Sequence, residues 1–342
     1  MRRTVGSFLV ILIVAAATFL LIKFGFERPV VIPEKQSGLR IATYNIAWMG
    51  EGMTPERVAN LRSVLANLKA DIVAVQEAES LKAMRRVFGR EWQIAMLNDP
   101  SELQELALAV RLPSKVLSRS MVFPDSSLDD AFPGKRDVLR VVVRPPSGND
   151  IVFYVVHMKS RRGGRIETDP QRIKACALLA SRLEKSKDER IVVLGDFNDY
   201  PDDRSVNILE TGDPNAKGEM EERPGRLFIN LAEDLAKREC VSLELHARFR
   251  GRPMQPVVYG ARWDNNRLQG VKYRFPDDVN VTQALFDQIL ISHSLKDAVI
   301  GRPFVYAGAD ALRGAEARRL EGGRQEGSLA SDHLPVCVDL RP

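Results

Sequence analysis

The chain has 342 residues, 44% hydrophobic and 28% charged, with a formal net charge of +5. That balance excludes a disordered or collagen-like chain and leaves material for one large core or two small ones. The mild basic excess suits a polyanionic substrate or an anionic membrane face without selecting either.

Arg2 and Arg3 precede an apolar run from Phe8 to Ile22, interrupted by Thr18 and closed by Lys23. Continued through Phe26 with Lys23 snorkelling, the run approaches the roughly 18 residues or more that a membrane span needs. No small-residue cleavage site follows it. Residues 1–26 are therefore expected to be an uncleaved membrane anchor, with a cleaved signal peptide as the alternative. The leading arginines favour a cytoplasmic amino end and an exported domain. Residues 27–38, with two prolines and mixed charge, read as a linker, and residues 39–342 as the folded domain.

Leu39 to Tyr44 reads as a strand. Thr54-Pro55 reads as a cap and first turn opening a helix with Val58, Leu61, Leu65 and Leu68 on one face. Ile72–Val75 and Leu106–Val110 are short buried strands, and Val138–Val143 pairs with Ile151–Val156 across a Pro-Pro-Ser-Gly turn. Asp169-Pro170 is read as the opening of a second helix, striped by Ile173, Cys176, Ala177, Ala180 and Leu183. Ile191–Leu194, Phe286–Ile291 and Leu334–Leu340 are further strands, and a helix is expected near Phe228–Arg238. The stretch from Asp203 to Leu285 is polar and Arg-rich, and reads as a surface excursion near the site. Alternating strands and helices give an α/β or α+β domain. Cys176, Cys240 and Cys337 are odd in number and widely spaced, which predicts buried free thiols rather than disulfides or a zinc site.

The chemistry lies at the ends of the apolar runs. Asn45 follows Ile41–Tyr44, Glu77 follows Ile72–Gln76, and His157 follows Phe153–Val156 with Lys159 just beyond. Asp196 and Asn198 follow Val192–Gly195, Asp287 lies within Leu285–Leu290, and Asp332-His333 precedes Leu334–Val336. Singly, each is an ordinary cap or turn residue. As an ordered set they point to one pocket built from strand ends.

These segments, from Ala42-Thr43-Tyr44-Asn45 and Val75-Gln76-Glu77 to Gly195-Asp196-Phe197-Asn198 and Ser331-Asp332-His333, resemble the endonuclease/exonuclease/phosphatase superfamily. The likeness is to its deoxyribonuclease I-like members, and among those to bacterial extracellular nucleases. It implies a four-layer sandwich, with two mixed β-sheets packed face to face and helices outside. It also implies a metal-dependent phosphodiesterase. Glu77 would be the principal Mg²⁺ ligand, supported by Asn45 and Asp332, with Mn²⁺ or Ca²⁺ as alternatives; oxygen ligands suit such ions. Asp287 would orient His333, Asp196 would position or deprotonate the attacking water, and Asn198 would donate to a phosphate oxygen. His157 would act as a second catalytic histidine, its partner open among Asp99, Glu102 and Glu105. Arg136 and Lys159 would contact substrate phosphate.

Nucleic acid is the expected substrate. Arg161, Arg162 and Arg165 past the His157 strand would suit phosphate contacts, although a solvated basic loop is equally consistent with them. A phospholipid or sphingomyelin phosphodiesterase beside its membrane is the alternative, and a non-catalytic binding module a third reading. Nothing in the sequence identifies a protein partner.

Overall fold

A computed structural model describes residues 32–35, 37–97, 103–124, 126–128, 130–132, 137–161, 164–218, 225–238, 240–244, 248–249, 252–253, 283–306, 308 and 330–342. The apolar run 8–22 lies outside these residues, as do Asp99, Glu102, Arg136 and Arg162. Among the described residues no helix is long and apolar enough to cross a membrane.

Strand β1 (Leu39–Met49) leads through α1 (Pro55–Leu68) to β2 (Ile72–Ala78), which runs parallel to β1. Thr54 caps α1 by accepting a hydrogen bond from the Arg57 N–H at 3.2 Å. Pro55 sits in the first turn, where its missing N–H leaves no helix bond unmade. Helix α2 (Leu81–Val87) and strands β3 (Trp92–Met96), β4 (Glu105–Arg111), β5 (Lys115–Met121) and β6 (Leu139–Arg144) follow. A second parallel unit comprises β7 (Ile151–His157), α3 (Arg165–Glu184) and β8 (Ile191–Asp196). Then come α4 (Arg204–Thr211), β9 (Phe228–Asn230), α5 (Ala232–Lys237), β10 (Asp287–Ser292), β11 (Val299–Val305) and β12 (Val336–Leu340).

The strands form two six-stranded sheets, β11-β12-β1-β2-β4-β3 and β5-β6-β7-β8-β10-β9. Each is mixed. Its parallel pair, β1/β2 or β7/β8, is joined by a helix, the connection that parallel strands require. One parity of each sheet faces the other: Ile41, Ala74 and Leu108 meet Val141, Phe153 and Leu194 in a shared core. On the second sheet the opposite parity, Val152, Tyr154 and Val193, packs under Cys176, Leu179 and Leu183 of α3. Two mixed sheets with outer helices are the sandwich the sequence led us to expect.

Three local expectations need correction. Helix α3 begins at Arg165, a turn before the Asp169-Pro170 pair. The Thr168 hydroxyl and N–H both donate to the Gly164 carbonyl, at 2.8 and 3.2 Å, and Asp169 pairs with Arg165 and Arg172. These contacts hold the extra turn although Pro170 supplies no helix N–H. The segment Phe228–Arg238 is not one helix: Phe228–Asn230 pairs antiparallel with β10, and only Ala232–Lys237 is helical. All three thiols are free, but Cys240 is half-buried.

Candidate active site

The two parallel units deliver their carboxyl ends to the same place. β1 and β2 bring Asn45 and Glu77, and β7 and β8 bring His157 and Asp196. In the register of β8 with β10, Asp287 lies opposite Asp196. The segment before β12 adds Asp332 and His333. The sheets are joined here through Asn45, whose amide donates to Asp196 Oδ2 at 3.0 Å and to Glu77 Oε1 at 3.3 Å. His333 Nδ1 lies 2.7 Å from Asp287 Oδ2, and its Nε2 is 3.8 Å from Asp196 Oδ2. His157 directs Nε2 at the same cluster, 3.6 Å from Asp196 Oδ2 and 3.8 Å from Glu77 Oε1. Thus eight of the residues singled out from sequence are brought together, with Asn198 among them.

Backbone strain concentrates at this point. Ala47, Trp48, Glu77 and Asn198 all have positive φ, at 39°, 56°, 62° and 52°. Side chains other than glycine rarely adopt that region, and it persists only where the surroundings enforce it. Arg57 enforces it at Ala47 and Trp48. Its buried guanidinium donates to the carbonyls of Ile46 and Ala47 at 2.6 Å, Trp48 at 3.3 Å and Ala330 at 3.2 Å. Glu77 sits where the register of β2 with β4 slips, and its Oε2 accepts from the Trp48 N–H at 3.0 Å. Gly195 has φ +153°, and a Cβ there would lie 1.9 Å from the Val156 carbonyl, so only glycine lets β8 approach β7 just before Asp196.

Electrostatics sets the carboxylates apart. Burial raises Asp196 to about 7, with Asp287 adding to the rise and His333 opposing it. Burial, then Asp332, holds Glu77 above the usual carboxylate range. Burial opposes charging His333, yet Asp287 and Asp196 outweigh it and lift the imidazole to about 10. At neutral pH the site therefore presents an imidazolium beside a carboxylate poised to exchange a proton.

These residues fit a divalent cation. Glu77 faces Asp332 closely enough to be raised by it, and an acidic oxygen pair is a donor set that a hard dication relieves and binds; Asn45, whose carbonyl accepts from the Ala47 N–H at 2.9 Å, supports the Glu77 carboxylate through its amide. A second acidic group, Asp196, Asp287 and His333, has donor atoms within 4.8 Å of one another. There, however, the His333 nitrogen facing Asp287 is committed to that carboxylate. Glu77 and Asp332, supported by Asn45, are the better-suited set.

Two expectations change. Asn198 directs its amide protons inward, to Asp196 Oδ2 at 3.2 Å and the Met158 carbonyl at 3.1 Å, while its backbone N–H donates to Asp196 Oδ1 at 2.8 Å. It fixes the carboxylate rather than reaching outward. Of the arginine cluster, Arg161 and Arg165 are not phosphate-binding surface, and Arg162 lies outside the described residues. Arg161 is 4% exposed and pairs with Asp199 and Asp203, and Arg165 pairs with Asp169 and Asp203 at 3.0 and 2.8 Å. Their charges are spent inside the protein. Lys159 is half-buried beside His157 and forms no ion pair among the described residues. Arg57 and Ser242 were missed from sequence. The Ser242 hydroxyl accepts from the N–H groups of Phe286 and Asp287, both at 3.0 Å, and its backbone carbonyl accepts from Leu334. It thereby ties the Asp287 strand to the His333 segment. A lone serine 45 residues from its partner gives no sequence signal.

The family model described as Endonuclease/Exonuclease/phosphatase family matches residues 42–333. Among solved structures, D. rerio TDP2 humanized by 14 mutations aligns with a TM-score of 0.57 at 17% identity, over 90% of this chain and 100% of that one. D. rerio TDP2 complexed with single strand DNA product gives 0.54 at 18% identity, over the same 90% and 100%. The catalytic domain of Xenopus laevis APE2 gives 0.50 at 16% identity, over 89% and 92%. At these identities the likeness is one of fold. No curated protein matches the sequence significantly.

Proposed function

The chain belongs to the endonuclease/exonuclease/phosphatase family, and from that premise we propose that it is a divalent-metal-dependent phosphodiesterase acting on nucleic acid. One observation carries the reading: Asp196 is pinned by Asn45 and Asn198 within reach of His157 and of the His333 imidazole that Asp287 holds.

Asp196 takes a proton from the attacking water as its oxygen bonds to phosphorus and the phosphorus–oxygen ester bond breaks, the leaving oxygen taking up a proton from solvent; the raised pKa of Asp196 suits it to that exchange. His333, kept protonated by Asp287, and His157 stabilise the negative charge that grows on the non-bridging oxygens. Glu77 and Asp332, supported by Asn45, would hold Mg²⁺, Mn²⁺ or Ca²⁺, which when bound supplies Lewis-acid stabilisation at the phosphoryl group.

Nucleic acid is favoured by the half-buried Lys159 beside His157. The DNA product bound in the D. rerio TDP2 structure supports the same choice. We also read residues 1–26 as an anchor that places the domain outside the cytoplasm, on the strength of the apolar run and its leading arginines alone. The test is to incubate the purified full chain in Mg²⁺ with plasmid DNA, single-stranded DNA, RNA, sphingomyelin vesicles and inositol phosphates. Cleavage of a nucleic acid is expected. Sphingomyelin hydrolysis with every nucleic acid intact would overturn the substrate and favour a lipid enzyme, which the amino-terminal run would serve.

A further inference from the structure

Beneath the cleft lies a buried ionic network of Arg161, Arg165 and Arg172 with Asp169, Asp199 and Asp203. Arg165 meets carboxylates, and Arg172 meets carboxylates and the Lys159 carbonyl. Arg161 reaches further. Its Nε donates to the Asn198 carbonyl at 2.8 Å, and its guanidinium carbon lies 4.8 Å from the Phe286 ring centroid and 5.3 Å from that of Tyr200. Asn198 is the residue that holds both oxygens of Asp196, and Phe286 is the neighbour of Asp287. The Phe286 carbonyl also accepts from the Phe197 N–H at 2.9 Å, and Gln288 donates to the Asp199 carbonyl at 2.6 Å. The planar cation is therefore wedged under two strand ends that bear the two catalytic carboxylates.

We propose that Arg161 is a positioning residue that sets the spacing between Asp196 and the Asp287–His333 pair, acting through Asn198 and Phe286; this rests on the phosphodiesterase reading above. Lysine at this position keeps a charge for Asp199 and Asp203. It cannot at the same time donate to the Asn198 carbonyl and hold a planar cation against two rings set 76° apart. A misplacement of about 1 Å can cost on the order of a hundredfold in rate while leaving substrate binding alone.

The experiment compares Arg161→Lys with Arg165→Lys in the full chain, measuring kcat and KM on the preferred nucleic acid and normalising to folded protein by near-UV circular dichroism. Arg161→Lys should lower kcat at least about tenfold with KM within about twofold of wild type, and Arg165→Lys should leave kcat unchanged. Unchanged kcat per folded Arg161→Lys molecule, or an equal loss in Arg165→Lys, would overturn the inference. Should Arg161→Lys not fold, Phe286→Leu removes one ring contact and no ion pair; a lower kcat at constant KM supports the link, and a wild-type kcat overturns it. Absence of cleavage by the wild-type chain would instead fault the phosphodiesterase reading itself.

Discussion

Two clusters of buried charge lie next to each other and are spaced differently. In the arginine network, cations and carboxylates meet at contact distance, as in Arg172 Nε to Asp199 at 2.8 Å and Arg165 to Asp203 at 2.8 Å. In the cleft, His157 stands 3.6 and 3.8 Å from its two carboxylates, Glu77 faces Asp332, and Asp196 retains a raised pKa. Every guanidinium of the network has a carboxylate partner, although burial still lifts Asp169 to about 6. In the cleft the His333–Asp287 contact is as close, at 2.7 Å, but His157 stands farther from Asp196 and Glu77, in a place shaped by Arg57, Ser242 and a strained backbone, and that wider spacing suits a cation and a phosphate. Charge density alone does not distinguish the two; spacing does.

Mutations can break that contrast. The largest effect expected is on turnover: His333→Ala and Asp287→Ala should each lower kcat by about a hundred- to ten-thousand-fold, and the double variant by no more than the worse single one. Independent, multiplying losses would mean that Asp287 does not act through His333. Next, stability and activity should separate. Arg172→Met should destabilise the fold by about 3–5 kcal/mol in a denaturant titration, since it strands buried carboxylates. Glu77→Gln should leave stability equal or higher, because its carboxylate is penalised in the apo fold, while turnover falls.

Proton linkage sharpens the comparison further. Activity should rise with pH through about 7 as Asp196 ionises and fall as His333 loses its proton near about 10. Asp287→Asn should move the alkaline limb to lower pH; an unmoved limb would assign it to another group. Asp196 also enters stability with a definite sign. Its folded pKa lies above its unfolded value, so its contribution is fully present at acid pH below about 4 and is lost as pH rises to about 7. The smallest effect concerns Lys159→Ala, which should raise KM a few-fold and reduce the slope of log affinity against log salt by about one.

The strand ends were legible in the sequence because an apolar run closing on Asn, Glu, His or Asp is a local pattern, and local patterns survive without knowledge of packing. The fate of the arginines was not legible. Arg161 looks like a basic loop until Asp199 and Asp203, 38 and 42 residues away, fold beneath it. Arg57 was read only as part of an amphipathic helix, yet its guanidinium meets Ala330, 273 residues distant. Strand β5 escaped notice for a different reason. As an edge strand with most of its side chains exposed, it carries no alternation to read.

On this reading the cleft works as a cation-loaded phosphodiesterase site. That is tested most directly by following cleavage of a single-stranded oligonucleotide by the purified full chain, first in Mg²⁺, then in excess chelator, then with Mg²⁺ restored, beside Glu77→Gln. The account predicts cleavage that stops with chelator, returns with the metal and is strongly reduced in Glu77→Gln. Undiminished cleavage in chelator, or wild-type turnover in Glu77→Gln, would contradict it.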